Sequence, residues 1–444
     1  MIEKDLNANI NQNLEAEAGG LTNWAGNIAF QAPTVYYPQT VAEVQELVRQ
    51  HHRIKALGSK HSFNTIADSP GVQISLKNMN RILRLDRQAN TLTLEAGARY
   101  GEFVAYVHEQ GYALPNLASL PHITVVGACA TATHGSGLNN GNLSTSVSAL
   151  EFVNAAGDLV RLSREQDPGQ FEAAVVGLGA FGIVTSITLD LIPAFNVKQV
   201  IYRNLPMSIL KDHFSEIQAR GYSVSLFTNW ANQNINEVWI KSLVNETEEI
   251  ETELYGAPAA TQNLHPVEDQ SAENVTQQLG IPGPWYDRLP HFKMGFQPSV
   301  GKELQSEYFV PIAHAYEAMM AIAQLHEQIT PHLFISEIRT IQADDFWMST
   351  CYKQQSVAFH FTWKQDLAVI MDLLPLIEQQ LEPFQPRPHW GKLFTMPAMA
   401  LQSRYPKVED FRLFIRQHDP EGKFANGFLD FLAEQNPGMK EHLT

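Results

Sequence analysis

Hydrophobic and polar positions follow two rhythms along this chain, and the change between them suggests its organisation. From Trp24 onward, short β-branched runs alternate with stretches of helical period. Val41, Val44, Leu47 and Val48 share one helical face, and Thr40 with Glu43 three residues later is a capping-box start signal. Residues 53–57 read as a short strand running straight into Gly58-Ser-Lys-His-Ser-Phe-Asn64, a loop of turn-forming residues. Strands are expected over 72–76, 82–86 and 91–96, and a helix over 100–110 ended by Gly111. A hairpin over 149–154 and 159–162 turns at Ala156-Gly157-Asp158, a helix covers 170–176, and 183–191 alternates as a strand.

Past Pro193 the strands lengthen and the helices stand apart. Residues 224–230, 237–244, 332–341 and 356–363 read as strands, 314–328 and 367–381 as helices, and 246–290 as an irregular excursion. The expected division is a flexible lead-in over 1–20, a first domain over 21–193, a second over 194–404, and a segment over 405–444 that returns to the first.

The tract 114–141 differs in kind. It is rich in glycine, alanine and other small residues, carries His122 and His134, lacks a period, and is too apolar for a solvent loop. Such a stretch suits backbone packed closely on something flat and extended. Gly177-Leu-Gly-Ala-Phe-Gly182 matches a G-x-G-x-x-G dinucleotide fingerprint by letter. A Rossmann site needs strand, glycines, then helix, whereas here a helical segment precedes and a β-branched strand follows. The fingerprint is therefore set aside, although these glycines can approach a cofactor by another geometry.

Composition narrows the function classes. The 444 residues, 44% hydrophobic and 18% charged, can bury a large core. A net charge of −16 without any Lys/Arg run opposes nucleic acid and anionic membranes but leaves an uncharged ligand indifferent. Cys129 and Cys351 stand far apart and outside any metal-binding spacing, so neither a disulfide framework nor a metal site is expected, and a reducing cytoplasm fits. Residues 1–20 do not resemble a signal or transit peptide, and the apolar stretch 175–192 is broken by glycines and polar residues, against a membrane span.

Candidate chemistry sits mainly in the second half. Glu337 and Arg339 point the same way from one strand, with Ile335 and Ile341 in the same row. A surface ion pair is the ordinary reading of E-x-R, and the apolar neighbours favour a buried or cleft-facing pair. In the next strand Val357, Phe359, Phe361 and Trp363 form one face and Ser356, Ala358, His360 and Thr362 the other, which is either solvated or lines a polar cavity. Lys392 lies among aromatic residues, where a lysine commonly snorkels. A lone loop histidine such as His61 is ordinarily a surface or hydrogen-bonded residue, and spacing alone does not single it out.

In combination, Leu57-Gly-Ser-Lys-His-Ser-Phe-Asn64, Ala118-Ser-Leu-Pro-His122, Thr131-Ala-Thr-His-Gly-Ser-Gly137, Gly182-Ile-Val-Thr185 and Asp419-Pro-Glu-Gly-Lys-Phe-Ala-Asn426 resemble vanillyl-alcohol-oxidase-type enzymes, in their alditol and aldonolactone oxidase branch. The resemblance implies an α+β fold: a two-part FAD-binding domain of the PCMH type plus an α+β substrate (cap) domain with a large antiparallel sheet. It implies FAD bonded to His61 through the 8α-methyl group and contacted by Ala56, Leu57, Gly58, Ser59, Lys60, Ser62, Ser119, Thr124, Gly127, Thr131, Ala132, Thr133, His134 and Ile183. Lys60 departs from the small residue often found at its position. The resemblance further implies that Glu337, Arg339, His360, Thr362 and Lys392 hold a polyol and prepare its C1 hydroxyl, with Ser119 near the flavin ring. The expected activity is oxidation of the terminal hydroxyl of a small polyol such as xylitol or sorbitol to the aldose. His360 is the expected base and O2 the acceptor, giving hydrogen peroxide; Ala118 falls where residue size governs oxygen access. An aldonolactone substrate, a different electron acceptor, or a non-catalytic carbohydrate-binding protein are the alternatives. A cytoplasmic monomer without nucleic-acid or membrane partners completes the expectation.

Overall fold

The computed structural model describes residues 14–244, 251–296 and 303–432. Its elements are mixed, with three main sheets of 4, 5 and 8 strands, and they form an α+β fold. In the smallest, Thr34–Tyr36, Val72–Ile74 and Ile54–Ala56 run parallel. Helix Val41–Gln50 lies against this sheet because its Val44, Leu47 and Val48 bury with Ile54, Val72 and Ile74. Its start uses the capping signal in shifted form: Thr40 Oγ1 accepts from Glu43 N at 3.3 Å, while Glu43 Oε2 accepts from Gln39 N at 2.7 Å.

Five antiparallel strands form the second sheet, in the order Ile82–Asp86, Thr91–Glu95, Ile183–Asp190, Val147–Val153, Leu159–Ser163. Its central strand follows the Gly177 loop, and helix Pro168–Val175 precedes that loop, an order opposite to a Rossmann unit. Within the small-residue tract a six-residue helix, Val125–Ala130, forms although no period marks it. Alanine and glycine keep it thin enough to lie beside the cavity described below.

The large sheet is antiparallel throughout, and Leu333–Ile341, Ser356–Lys364 and Glu303–Pro311 are neighbours in its middle. One face is packed by helices Leu210–Gln218, Ala315–Ala323 and Leu367–Leu381, which meet Val357, Phe359, Phe361 and Trp363 in a single apolar cluster. The opposite face carries the polar side chains of the candidate site. The period over 314–328 is divided into Ala315–Ala323 and His326–Ile329 by a tight turn, Leu325 N to Ile322 O at 2.9 Å, and both Ile322 and Ile329 reach the core.

Part of the expected lead-in is ordered. Ala16–Ala18 pairs antiparallel with Thr34–Tyr36, and Glu15 and Glu17 are tied to Lys77 and Tyr37 at 3.0 and 2.6 Å. A polar, acidic composition hid this strand, whose partners are a sheet edge and side chains distant in sequence; residues 1–13 lie outside the described residues. From Tyr405 the chain packs on the core of the five-stranded sheet through Val408, Phe411 and Phe414. Lys423 Nζ donates to the carbonyls of Val48 and Ala155, and Asn426 Nδ2 to those of Thr65, Ile66 and Asp68. Among the described residues no helix is long and apolar enough to cross a membrane.

Candidate active site

A cavity of about 500 Å³ is lined from all three main sheets, by Ile74 of the first, Val184 and Ile187 of the second, and Glu307 and Glu337 of the third. One end is backbone-rich. A Cβ on Gly58 or Gly127 would stand 2.8 or 2.7 Å from Thr124 Oγ1, so a side chain at either position would displace the Thr124 hydroxyl between the loop and the short helix. Ala56, Leu57, Ser59, Lys60, His61 and Ser62 line the same stretch, as do Thr124, Thr131, Thr133 and His134. Gly177, Gly179 and Gly182 of the discarded fingerprint line it too, and Lys55 Nζ donates to the Gly179 carbonyl at 2.8 Å. A long wall of exposed main chain with few bulky side chains suits a flat, extended dinucleotide.

Lys60 has φ 61°, in the left-handed region that glycine alone adopts freely. The next residue, His61, is half-buried with Trp24 against its ring, centroids 4.4 Å apart, and its Nδ1 is 3.3 Å from Nε2 of His122. Burial, with His122 and Lys392 adding to it, pushes His61 down to about 3, so the imidazole is neutral and its free nitrogen nucleophilic.

The other end is a charged patch on the large sheet. Register aligns Glu337 with His360 and His360 with Glu307, so three adjacent strands present one row across the sheet. Arg339 stands opposite Ala358, whose small side chain leaves it room to lean toward the row. Its Nη2 donates to Glu307 Oε1 at 2.9 Å, while Nε, 3.5 Å from Glu337 Oε1, completes no hydrogen bond. Lys392 reaches in from the loop after Arg387–Pro388 and donates to Glu307 Oε2 at 2.6 Å and His360 Nδ1 at 2.8 Å.

These contacts set the charges. Burial alone would raise both carboxyls, yet Lys392, His134 and Arg339 hold Glu307, and Arg339 and His291 hold Glu337, well below the usual carboxylate range. Burial and the Lys392 ammonium push His360 well below an ordinary histidine, so it is a neutral ring. Since Lys392 donates to Nδ1, the hydrogen of that ring is on Nε2, 3.1 Å from Thr362 Oγ1. Burial lowers Lys392 as well, against the pull of Glu307.

Most residues singled out in the sequence come together here. Thr362 bonds His360 at 3.1 Å without lining the cavity. Ala132 and Ile183 do not line it either: both are wholly buried, Ile183 among Val44, Leu47 and Val153, and it is the neighbours Thr131, Thr133, Gly182 and Val184 that do. Ala118 and Ser119 line the cavity beside Leu120.

Sequence reasoning missed Glu307, completely buried at the centre of the row, and His291. Alternation over 303–311, with Leu304, Tyr308 and Val310 turned to the helix-covered face and Gln305 and Glu307 to the other, was the available signal. His291 comes from the end of the irregular excursion and sits 2.7 Å from Glu337.

Known proteins resemble this chain along most of its length. Residues 32–163 match the family model for an FAD-binding domain, and residues 299–432 that for D-arabinono-1,4-lactone oxidase. Alditol oxidase from a Streptomyces species is 44% identical over 93% of this chain and 99% of its own. L-gulonolactone oxidase from Mus musculus is 24% identical over 92% of this chain and 97% of its own. Among solved structures, cholesterol oxidase from B. sterolicum superposes with a TM-score of 0.76 at 16% identity, covering 95% of this chain and 98% of that one. With two ends that answer to FAD and to a hydroxylated substrate, and that degree of identity along nearly its whole length, the chain belongs to the alditol oxidase family of FAD-dependent oxidoreductases.

Proposed function

We propose that this enzyme oxidises the C1 hydroxyl of alditols such as xylitol or sorbitol to the aldose, with FAD joined covalently to His61. The observation that carries the reading is the row Glu337, His360, Glu307 with Arg339 and Lys392 set into it, on the wall of the same cavity as His61. Each hydroxyl of an acyclic polyol donates and accepts, so an acceptor (Glu337) beside donors (Arg339, Lys392) can hold an uncharged chain, and Ser119 lines the same cavity. Thr362 contributes by holding His360. When bound, FAD would supply the two-electron acceptor for the hydride of C1, with O2 as the final acceptor giving hydrogen peroxide.

His360 is the base. With Nε2 donating to Thr362, the atom able to take a proton is Nδ1, now occupied by the Lys392 ammonium. A C1 hydroxyl that displaces Lys392 from Nδ1 delivers its proton there, and the ammonium and Arg339 then face the alkoxide oxygen. The neutral state of His61 supports covalent attachment, since only an unprotonated nitrogen has the lone pair to form a bond at the flavin 8α carbon. Turnover of xylitol, sorbitol and a galactonolactone with and without oxygen tests the assignment. Peroxide formed from alditols and oxygen is expected, and reaction only with the lactone would refute it. That second reading, an aldonolactone oxidase or dehydrogenase, is favoured by the match of 299–432 to D-arabinono-1,4-lactone oxidase.

A further inference from the structure

Four buried histidines lie in or beside the charged row, and three have partners that suit a neutral ring. His360 accepts at Nδ1 from Lys392, His389 accepts at Nδ1 from Gly391 N at 3.0 Å, and His291 has Lys241 at Nδ1 and donates from Nε2 to Glu337. His134 is different. Its Nδ1 is 2.8 Å from the Gly135 carbonyl, and its Nε2 is 3.2 Å from Glu307 Oε1. Both partners are acceptors, so each ring nitrogen needs a hydrogen, or the proton of the second contact must come from the carboxyl itself. A neutral imidazole with an ionised Glu307 would set two lone pairs against each other with almost no water to intervene, both side chains being 1% exposed or less.

We propose that His134 is held as an imidazolium on Glu307, and that this pair positions Lys392 and Arg339 and leaves this end of the cavity one positive charge in excess. The charge count is that of the row. Arg339 and Lys392 balance Glu307 and Glu337, so the proton on His134 is the one left over there; Glu303, the further carboxyl that Lys392 feels, is raised by burial and accepts from Gln305. Lys241 stands behind His291, where burial holds it down to about 7. Burial, helped by Arg339 and Lys392, outweighs Glu307 and lowers His134 from an ordinary histidine, so the imidazolium is assigned against that direction, on the two acceptors its ring nitrogens face. Glu307 has both oxygens engaged, Oε1 by Arg339 and His134 and Oε2 by Lys392, so it fixes two cations that meet substrate without lying among the reacting atoms. A surplus positive charge offsets the negative charge on a hydroxyl oxygen that loses its proton. That last role rests on the dehydrogenation proposed above; the charge state of His134 does not.

The test is nitrogen NMR of the flavin-loaded protein labelled with ¹⁵N in histidine, at pH 7.5, with H134N to assign the signal. Both ring nitrogens of His134 protonated is the expected result, with E307Q converting the ring to a neutral Nδ1–H tautomer. A neutral His134 in the unmodified protein overturns the proposal. Should E307Q not fold, H134N decides by kinetics. Its kcat for flavin reduction should fall by at least about tenfold with KM little changed, and the acid limb of the pH profile should move upward as His360 loses a neighbouring positive charge. Unchanged kcat and an unmoved limb overturn the positioning role. Because the NMR signal needs no substrate, a protein inactive on alditols but with an intact imidazolium would remove the proposed function and support the pair.

Discussion

Replacing Lys392 by methionine keeps the length of the side chain and removes its charge. Two charge-assisted bonds vanish, to Glu307 at 2.6 Å and to His360 at 2.8 Å, both in a buried environment. Removing one partner of a buried ion pair costs about 3–5 kcal/mol. Arg339 still pairs with Glu307 at 2.9 Å, so the lower end of that range is expected in folding stability. The acid dependence follows with a definite sign. Glu307 is depressed in the folded protein, so its contribution is present above the ordinary carboxylate pKa of about 4.3 and is lost as pH falls through its own lower value. Without Lys392 that folded value rises, and acid unfolding begins at higher pH. In catalysis the lost donor is one that faces developing negative charge, for which about 10²–10³ in rate is typical. The assay is stopped-flow flavin reduction by xylitol without oxygen, beside unfolding followed from pH 8 down to about pH 2, through the window in which Glu307 titrates. Loss of stability with an unchanged reduction rate would refute the placing of Lys392 at the reacting hydroxyl and leave it a structural cation.

Other substitutions probe the remaining parts. His360→Ala should slow flavin reduction by about 10²–10⁴-fold, and an unchanged rate would remove it as the base. His61→Ala should bind FAD that acid precipitation releases, with no fluorescent band on a denaturing gel; a band that persists would place the covalent bond elsewhere. Gly58→Ala forces a Cβ to 2.8 Å from Thr124 Oγ1 and should yield protein with much less FAD, measured by the ratio of flavin to protein absorbance. At Ala118, substitution by glycine should change reoxidation by O2 and leave anaerobic reduction alone; equal effects on both half-reactions would contradict an oxygen gate.

Local signals served well where neighbours in sequence decide structure. The cap at Thr40, the strand Ile82–Asp86 and the helix Leu367–Leu381 follow from capping and periodicity, and the order of helix, glycines and strand at Gly177 was enough to reject a false fingerprint. Alternation also settled which face of Ser356–Lys364 packs on helices. It left open whether the other face met water or a cavity, because that depends on what lies across the sheet. The charged row needed register: alternation in Leu-Gln-Ser-Glu-Tyr-Phe puts Glu307 on the face away from the helices, but only its place opposite His360 separates it from a solvent-facing glutamate. Lys392 looked like a snorkelling lysine for the same reason, its partners being 85 and 32 residues away in sequence. His291, brought in by an aperiodic excursion, had no signal.

The central claim, that this cavity removes a hydride from C1 of an alditol, is tested most directly by mixing the protein without oxygen with xylitol carrying deuterium or hydrogen at its terminal carbons. Bleaching of the flavin absorbance, slower with deuterium, is the predicted result. A flavin that stays oxidised with xylitol and sorbitol, yet bleaches with an aldonolactone, would contradict it.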